Sequence, residues 1–125
     1  MSVLDASLWL EVAVQRQPVE TLPAPPILVP GHFDGEVLSG LRGLVRGREL
    51  SKADGLALAK DLRSAALLRV ALRELVEKAW PLSTSVSAYD AFYVALARRE
   101  QAALFTCDAK LAAGAADLCD VHLVL

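Results

Sequence analysis

The chain has 125 residues, with 13 Lys and Arg against 15 Asp and Glu and a formal net charge of −2. This length suits one compact domain and is too short for two domains that each bury a core. Hydrophobic residues make up 54% of the chain, which excludes a disordered protein. The near-balanced charge lacks the strong basic excess that is typical of proteins recognising nucleic acid through their overall field.

The apolar residues do not form a membrane span, a secretion signal or a disulfide scaffold. The longest stretch without charge is only 13 residues long and contains four prolines, from Thr21 to Phe33. An acid already stands at Asp5, without the basic and apolar segments of a signal peptide, so we expect a cytoplasmic protein. Cys107 and Cys119 show neither CxxC spacing nor a nearby His pair. We therefore expect two small buried side chains and no zinc site.

The N-terminal residues predict a short strand followed by a helix. Val3 and Leu4 form an apolar run that ends at Asp5, and apolar residues then recur at helical spacing, with Ser7 placed to cap that helix. Five prolines between residues 17 and 30 predict an irregular connection that contains an extended piece at residues 27–29.

Two antiparallel helices are predicted next. Apolar residues recur at helical spacing over residues 37–45, where Gly40 and Gly43 favour the close approach of another helix. Ser51 and Asp54 then form a capping-box pattern that opens the second of these helices.

The next segment predicts a strand and two further helices. Residues 69–72 have strand character, and a helical run over residues 74–80 is expected to end at Pro81. Ser87 and Asp90 form a second capping box, which begins a helix with an apolar stripe.

The C-terminal residues complete an alternation of strands and helices. An apolar strand over residues 103–107 ends at Asp108, a short helix covers residues 110–116, and a last strand covers residues 121–125. This alternation predicts an α/β fold with a small parallel sheet, in which sites form beyond the carboxyl ends of the strands. Asp5 and Asp108 both fall at such ends.

Four acids are candidates for one site. Asp5 and Asp108 would enter the same crevice, and Glu36 and Asp90 could reach it from neighbouring helices. Carboxylates gathered in this way repel one another, and Mg²⁺ or Mn²⁺ would relieve the repulsion and activate a water. Spacing alone leaves two alternatives open: Asp34 could take the place of Glu36, and Asp90 could serve only as a helix-cap residue.

Four motifs carry a resemblance to a known family. In chain order they are Leu4-Asp5-Ala6-Ser7, His32 to Arg42, Ser87 to Ala97, and Leu104 to Ala112. Their order and content resemble those of PIN-domain ribonucleases, specifically VapC-type toxins of toxin–antitoxin pairs, over nearly the whole chain. The resemblance implies one PIN domain over residues 1–125, folded as a three-layer α/β/α sandwich. It also implies a Mg²⁺- or Mn²⁺-dependent endoribonuclease that cleaves RNA phosphodiester bonds by a metal-activated water.

The same resemblance implies a role for each motif residue. The family's acidic quartet is matched by Asp5, Glu36, Asp90 and Asp108. Of these, Asp5, Asp90 and Asp108 would hold the metal, directly or through water, while Glu36 would orient the attacking water or ligate. Ser7 and Thr106 match positions that support the site through hydrogen bonds.

The chain also departs from the family's usual pattern. Relatives often carry Leu-Arg and then Asn after the residue that Trp80 matches, whereas this chain has Pro-Leu-Ser83-Thr-Ser85. An Arg that could contact RNA phosphate is therefore missing, which puts substrate affinity in doubt more than metal binding. Arg42 and Arg46, one helical turn apart, could bind RNA phosphates or simply form a solvated face.

The remaining notable side chains have structural interpretations. We expect a structural role for His32. Five aromatic residues could stack on unpaired bases, but their helical spacing beside Leu and Ala favours the core: Trp9, Trp80, Tyr89, Phe92 and Tyr93. The Leu-rich helices between Val37 and Leu62 would pair two copies of the chain and receive a cognate VapB-type antitoxin, as the resemblance implies.

Three functions are therefore compared. The leading hypothesis is a metal-dependent endoribonuclease toxin acting on tRNA or rRNA. The alternative is a catalytically silent PIN-like module that binds a partner protein or RNA. A phosphatase or receiver-like domain is disfavoured, because such domains usually carry paired acids after the first strand and Asp5 has no acidic neighbour.

Overall fold

Five short parallel strands form one sheet, in the order β3-β2-β1-β4-β5, in a computed structural model that describes all 125 residues. The strands are β1 (Ser2–Leu4), β2 (Ile27–Pro30), β3 (Leu67–Val70), β4 (Ala103–Thr106) and β5 (Val121–Leu123). β1 lies at the centre, where Val3 pairs with Leu28 on one side and with Leu104 on the other. The N-terminal strand thus lies in the middle of the sheet, whereas the C-terminal strand β5 lies at one edge.

Six α-helices flank this sheet: α1 (Ala6–Ala13), α2 (Phe33–Arg46), α3 (Lys52–Ser64), α4 (Val76–Ala79), α5 (Ala88–Glu100) and α6 (Ala109–Ala115). Short 3₁₀ turns cover Val19–Thr21, Leu72–Glu74 and Trp80–Thr84. The α/β/α sandwich predicted from the sequence is confirmed. None of the helices combines the length and apolarity that a membrane crossing needs.

The core lies mainly between the sheet and α5. Ala91 and residues 93–97 of this helix are all buried, and the helix packs on β1, β2 and β4. The small Ala side chains let the helix lie close to the strands. On another side of the fold, Gly40 of α2 faces Leu10 of α1 so closely that a Cβ at Gly40 would collide with that side chain. The prediction that a glycine permits close helix packing is confirmed at Gly40, whereas Gly43 faces open space.

The serine hydroxyl of each predicted capping box caps its helix. The Ser51 Oγ accepts the Asp54 N–H at 3.0 Å, and the Ser87 Oγ accepts the Asp90 N–H at 3.1 Å. These bonds satisfy free backbone donors and fix where α3 and α5 begin. The predicted capping role of Ser7 is wrong, because its hydroxyl donates to Asp5 and leaves α1 without a side-chain cap.

Three element predictions need correction. β3 covers Leu67–Val70, two residues before the predicted strand, because Leu67 and Leu68 pair with β2. The helical run predicted over residues 74–80 is divided into a 3₁₀ turn, the short α4 and a second 3₁₀ turn that contains Pro81. The last strand ends at Leu123 instead of Leu125.

Two aromatic residues assigned to the core are on the surface. Trp80 is 78% exposed and Tyr89 is 67% exposed, whereas Tyr93 is fully buried. Helical spacing places a residue on a helix face but does not say how far the packed layer extends. Cys107 and Cys119 are free thiols and are only partly buried.

Candidate functional site

Asp5 and Thr106 meet at the carboxyl ends of the two central strands. Asp5 follows β1 and Thr106 ends β4, and the pairing of Leu4 with Phe105 brings the two positions together. The Asp5 Oδ2 accepts hydrogen bonds from the Ser7 hydroxyl at 2.5 Å and from the Thr106 hydroxyl at 2.7 Å. Asp5 is only 6% exposed and Thr106 is fully buried, so one carboxylate oxygen is held by two hydroxyl donors away from solvent.

The same two hydroxyls also bind the backbone that leads to Asp108. The Ser7 Oγ accepts the Cys107 N–H at 2.9 Å, and the Thr106 Oγ1 accepts the Asp108 N–H at 2.9 Å. Asp108 then uses its Oδ1 to accept the Lys110 and Leu111 N–H groups at the start of α6, at 2.9 and 3.1 Å. Each hydroxyl therefore links the end of β1 to the chain that follows β4.

Glu36 lies in the first turn of α2 and is held by an aromatic residue of α5. The Tyr93 hydroxyl donates to the Glu36 Oε1 at 2.5 Å, although its ring is part of the core. Helical spacing predicted a packing role for Tyr93 and did not predict this bond. A tyrosine on a buried helix face carries a hydroxyl that needs a partner, and that requirement was the available signal.

His32 connects the beginning of α2 to the beginning of α5. Its Nε2 lies 2.9 Å from the Tyr89 carbonyl oxygen, which can only accept, and 3.6 Å from the Glu36 Oε1. The rings of Tyr89, Phe92 and Tyr93 surround it at centroid distances of 5.0–6.0 Å. Its Nδ1 is buried without a hydrogen-bond partner. These contacts agree with the structural role expected for His32, and they place it beside the acids.

The four acids of the quartet influence one another electrostatically. Desolvation is the largest cause that raises the pKa of Asp5, Glu36 and Asp90 above their ordinary values. Repulsion from Asp108 adds to the rise for Asp5, and repulsion from both Asp5 and Asp108 adds to it for Asp90. Asp5 and Asp90 in turn raise the pKa of Glu36, against the lowering effect of its bond from Tyr93. These acids of four separate motifs therefore share one electrostatic environment.

Asp34, the alternative to Glu36, is engaged elsewhere. Its two carboxylate oxygens accept hydrogen bonds from Arg69 of β3 at 2.7 and 2.9 Å. This bidentate ion pair ties the start of α2 to the edge strand. Of these two acids, Glu36 is therefore the one whose pKa is raised by Asp5 and Asp90.

The donor set of the quartet fits a hard divalent cation. Carboxylate and hydroxyl oxygens are the ligands that Mg²⁺ and Mn²⁺ prefer. No group of three or more Asp, Glu, His or Cys side chains is arranged to hold a metal ion directly as it stands. Mg²⁺ usually keeps several waters and binds through one or two carboxylates and substrate phosphates, so an open arrangement of this kind suits it.

Arg42 and Arg46 lie on an exposed part of α2. With Leu38 and Lys52 they line an open groove of about 380 Å³ between α2 and α3. The groove thus has an apolar floor and a basic rim. It is separate from the hydrogen-bond network that holds Asp5 and Asp108.

Comparison with known proteins identifies the family. The PIN domain family model matches residues 2–116. The chain belongs to the PIN-domain family. It is 35% identical over 125 residues to a VapC ribonuclease of Mycobacterium bovis and to ribonuclease VapC9 of Mycobacterium tuberculosis, covering 99% of this chain and 98% of each relative. It is also 31% identical over 132 residues to ribonuclease VapC12 of M. tuberculosis, covering 99% of both chains.

A solved structure shares the fold of this PIN-domain chain. The crystal structure of M. tuberculosis VapC20, described as a toxin that cleaves the sarcin-ricin loop, aligns with a TM-score of 0.68. The alignment covers 90% of this chain and 94% of VapC20 at 18% sequence identity. The resemblance to VapC-type PIN domains is confirmed by the sequence relatives, and VapC20 adds agreement in fold.

Proposed function

We propose that this chain is a cytoplasmic endoribonuclease toxin of the VapC type, which hydrolyses RNA phosphodiester bonds with Mg²⁺ or Mn²⁺ at the acidic quartet. The observation that carries the proposal is the hydrogen-bond network that joins Asp5, through Ser7 and Thr106, to the chain leading to Asp108. The charge of Asp5 also raises the pKa of Glu36 and of Asp90. The relatives that are named VapC ribonucleases cover almost the full chain and support the same activity.

Three aspartates would hold the cation. The Oδ2 of Asp5 is occupied by the Ser7 and Thr106 hydroxyls, so its Oδ1 is the oxygen that remains for a cation. Asp108 uses Oδ1 to cap α6, which leaves Oδ2 for the same purpose. Asp90 is at the start of α5, where the charges of Asp5 and Asp108 both raise its pKa. When bound, Mg²⁺ or Mn²⁺ would lower the pKa of a bound water and stabilise the negative charge on the phosphate.

Glu36 would take the proton of the attacking water. Partial burial raises its pKa, which makes it a stronger base than a solvent-exposed glutamate. Tyr93 fixes the Oε1, so the Oε2 remains for the water. Tyr93 is therefore a positioning residue that acts through Glu36.

Further contacts complete the proposal. Arg42 and Arg46 would bind RNA phosphates, which supply most sequence-independent affinity. A second copy of the chain and a VapB-type antitoxin would cover apolar surface on α2 and α3, where Leu38 and Leu56 are exposed. A tRNA or rRNA would be the substrate.

The test is cleavage of tRNA and rRNA fragments by chain purified free of antitoxin, with Mn²⁺, Mg²⁺ or EDTA. We expect metal-dependent cleavage that the Asp90→Asn variant loses. Asp54→Asn is the matched control, because Asp54 occupies the same capping-box position in α3 outside the quartet, and it should cut like the unmodified chain. Equal cleavage by Asp90→Asn would contradict the proposal.

A catalytically silent binding module is the second candidate. It is favoured by two features of the sequence, the missing Arg after Trp80 and the net charge of −2. RNA or partner binding without cleavage in any metal, and without dependence on Asp90, would support this candidate.

A further inference from the structure

We propose that Tyr89 is a stacking platform for an unpaired RNA base next to the bond that is cut, and that His32 fixes the position of this platform. The inference rests on the proposed function and adds the residue that would hold the substrate base. The exposed Tyr89 ring lies directly before Asp90 in the chain and beside His32, whose Nε2 is 3.6 Å from the Glu36 Oε1.

Exposure is the first observation. Tyr89 is 67% exposed in the second position of α5, while each of the next five residues of the helix is buried or partly buried. Aromatic side chains stabilise a fold or an interface when they are buried, and an exposed ring makes little of this contribution to the fold. The His32 ring lies beside it, and most of the Tyr89 surface remains exposed to a planar partner.

The position of the ring is fixed by backbone and side-chain contacts. His32 Nε2 donates to the Tyr89 carbonyl oxygen at 2.9 Å, and the two rings lie 6.0 Å apart with planes inclined by 32°. The same His32 nitrogen is 3.6 Å from the Glu36 Oε1. Tyr89 is therefore tied to the proposed base through one side chain and to Asp90 through one peptide bond, which places the two Cα atoms about 3.8 Å apart.

Electrostatics favour an uncharged contact at this place. The quartet is acidic and the whole chain carries a net charge of −2, so an RNA phosphate is repelled by the acids until a cation compensates them. Base stacking on an aromatic ring adds affinity that does not depend on charge. Unpaired bases are also the part of RNA that proteins most often hold on aromatic rings.

The test is RNA binding by full-length chain in the Glu36→Gln background, which lacks the proposed base, with Mg²⁺ present. The probes are short single-stranded oligo(A) and oligo(U) RNAs that carry a fluorescent end label or an internal 2-aminopurine, whose emission is quenched by stacking. Tyr89→Ala is expected to weaken binding at least about fivefold and to abolish the quench. The slope of log affinity against log salt should not change, because no phosphate contact is removed.

Two variants serve as controls. Tyr89→Phe keeps the ring and should bind and quench like the parent. Trp80→Ala removes another exposed aromatic residue, which lies elsewhere on the surface. The residues that follow Trp80, Pro81 and Leu82, line a cleft with Arg98 in the later part of α5. Trp80→Ala should also match the parent. Neither Tyr89 variant removes the carbonyl that His32 binds, and Ala favours helix, so folding is expected to persist.

Each other outcome overturns the inference. The inference fails if Tyr89→Ala binds RNA as tightly as the parent, or if Trp80→Ala loses as much affinity as Tyr89→Ala. It also fails if Tyr89→Ala reduces the salt slope of binding, or if the parent binds neither RNA. Cleavage by chain with intact Glu36 distinguishes this failure from that of the proposed function. If Tyr89→Ala binds and cuts like wild type, only the stacking inference fails. If stacking is observed but no RNA is cut under any condition, only the proposed function fails.

Discussion

Asp5 and Glu36 are both acids of the quartet, but the fold holds them in different ways. Asp5 follows a central strand, is buried, and accepts two hydroxyl hydrogen bonds from Ser7 and Thr106. Glu36 lies on a helix at the rim, is half-buried, and has one bond from Tyr93. The strand side of the site is thus fixed by the sheet, whereas the helix side depends on how α2 and α5 pack. We therefore expect that binding of a cation would shift Glu36 more than Asp5.

The largest expected effect comes from breaking the strand side. Thr106→Val keeps the shape but removes a hydroxyl that donates to Asp5 and accepts the Asp108 N–H. Both groups then lose a partner in a buried place, and we expect the free energy of unfolding to fall by about 1–3 kcal/mol. Urea denaturation measures this loss. Thr106→Ser retains the hydroxyl, so its free energy of unfolding should fall clearly less than that of Thr106→Val. Equal decreases in the two variants would show that Thr106 stabilises the fold through its methyl group and not through its hydrogen bonds.

Breaking the helix side should cost less stability but still reduce activity. Tyr93→Phe removes the donor to Glu36 and leaves the ring in the core. Because Glu36 can turn to water, we expect a loss of only about 0.5–1.5 kcal/mol in stability. RNA cleavage should fall about tenfold or more, since a positioned acid–base group contributes about 10²–10⁴ to rate. Tyr89→Phe, which removes an exposed tyrosine hydroxyl, is the matched control and should retain cleavage.

Repulsion among the acids should make the stability of the chain depend on pH. The pKa values of Asp5, Glu36 and Asp90 are raised in the folded chain, so the folded state holds these protons more tightly than the unfolded state. Their contribution to stability is present at acid pH and is lost as pH rises from about 4 through the raised pKa values. Asp90→Asn removes one repelling charge and should raise the melting temperature at neutral pH in EDTA.

The difference between the two chains should shrink at acid pH, below the raised pKa of Asp90, where this carboxylate takes up its proton. Added Mn²⁺ should raise the melting temperature of the unmodified chain more than that of Asp90→Asn, because the variant retains fewer repelling charges for the cation to neutralise. Thermal melts over this pH range, with and without Mn²⁺, measure both effects. A lower melting temperature of Asp90→Asn at neutral pH would contradict the repulsion among the quartet.

The smallest expected effect on stability lies outside both sides of the site. Arg42→Gln and Arg46→Gln change exposed positions on α2, and each should alter stability by less than about 0.5 kcal/mol. If these residues bind RNA phosphates, each variant should lower the salt slope of single-stranded RNA binding by about 0.7. An unchanged slope for both would assign this basic rim to solvent or to a protein partner.

The same contrast explains what could be predicted from the sequence. Asp5 and Asp108 were placed correctly at strand ends because each terminates a short apolar run, a local signal. The bond between Tyr93 and Glu36 joins residues 57 positions apart and depends on how two helices cross, so residue spacing could not predict it. β3 was shifted by two residues because Leu67 and Leu68 follow α3 almost directly, and only pairing with β2 separates strand from helix there. The exposed rings of Trp80 and Tyr89 were missed because a stripe pattern does not show where packing stops.

The contact between Asp5 and Thr106 also sets when the site can form during synthesis of the chain. The two residues are 101 positions apart, and β1 has only β2 as a partner until β4 has been synthesised. A ribosome-bound fragment that ends before Phe105 therefore contains Asp5, Glu36 and Asp90 without the strand that aligns them. The carboxylate of Asp5 can therefore gain its Thr106 partner only after a further 101 residues have been synthesised, so the site assembles during synthesis no earlier than β4 does.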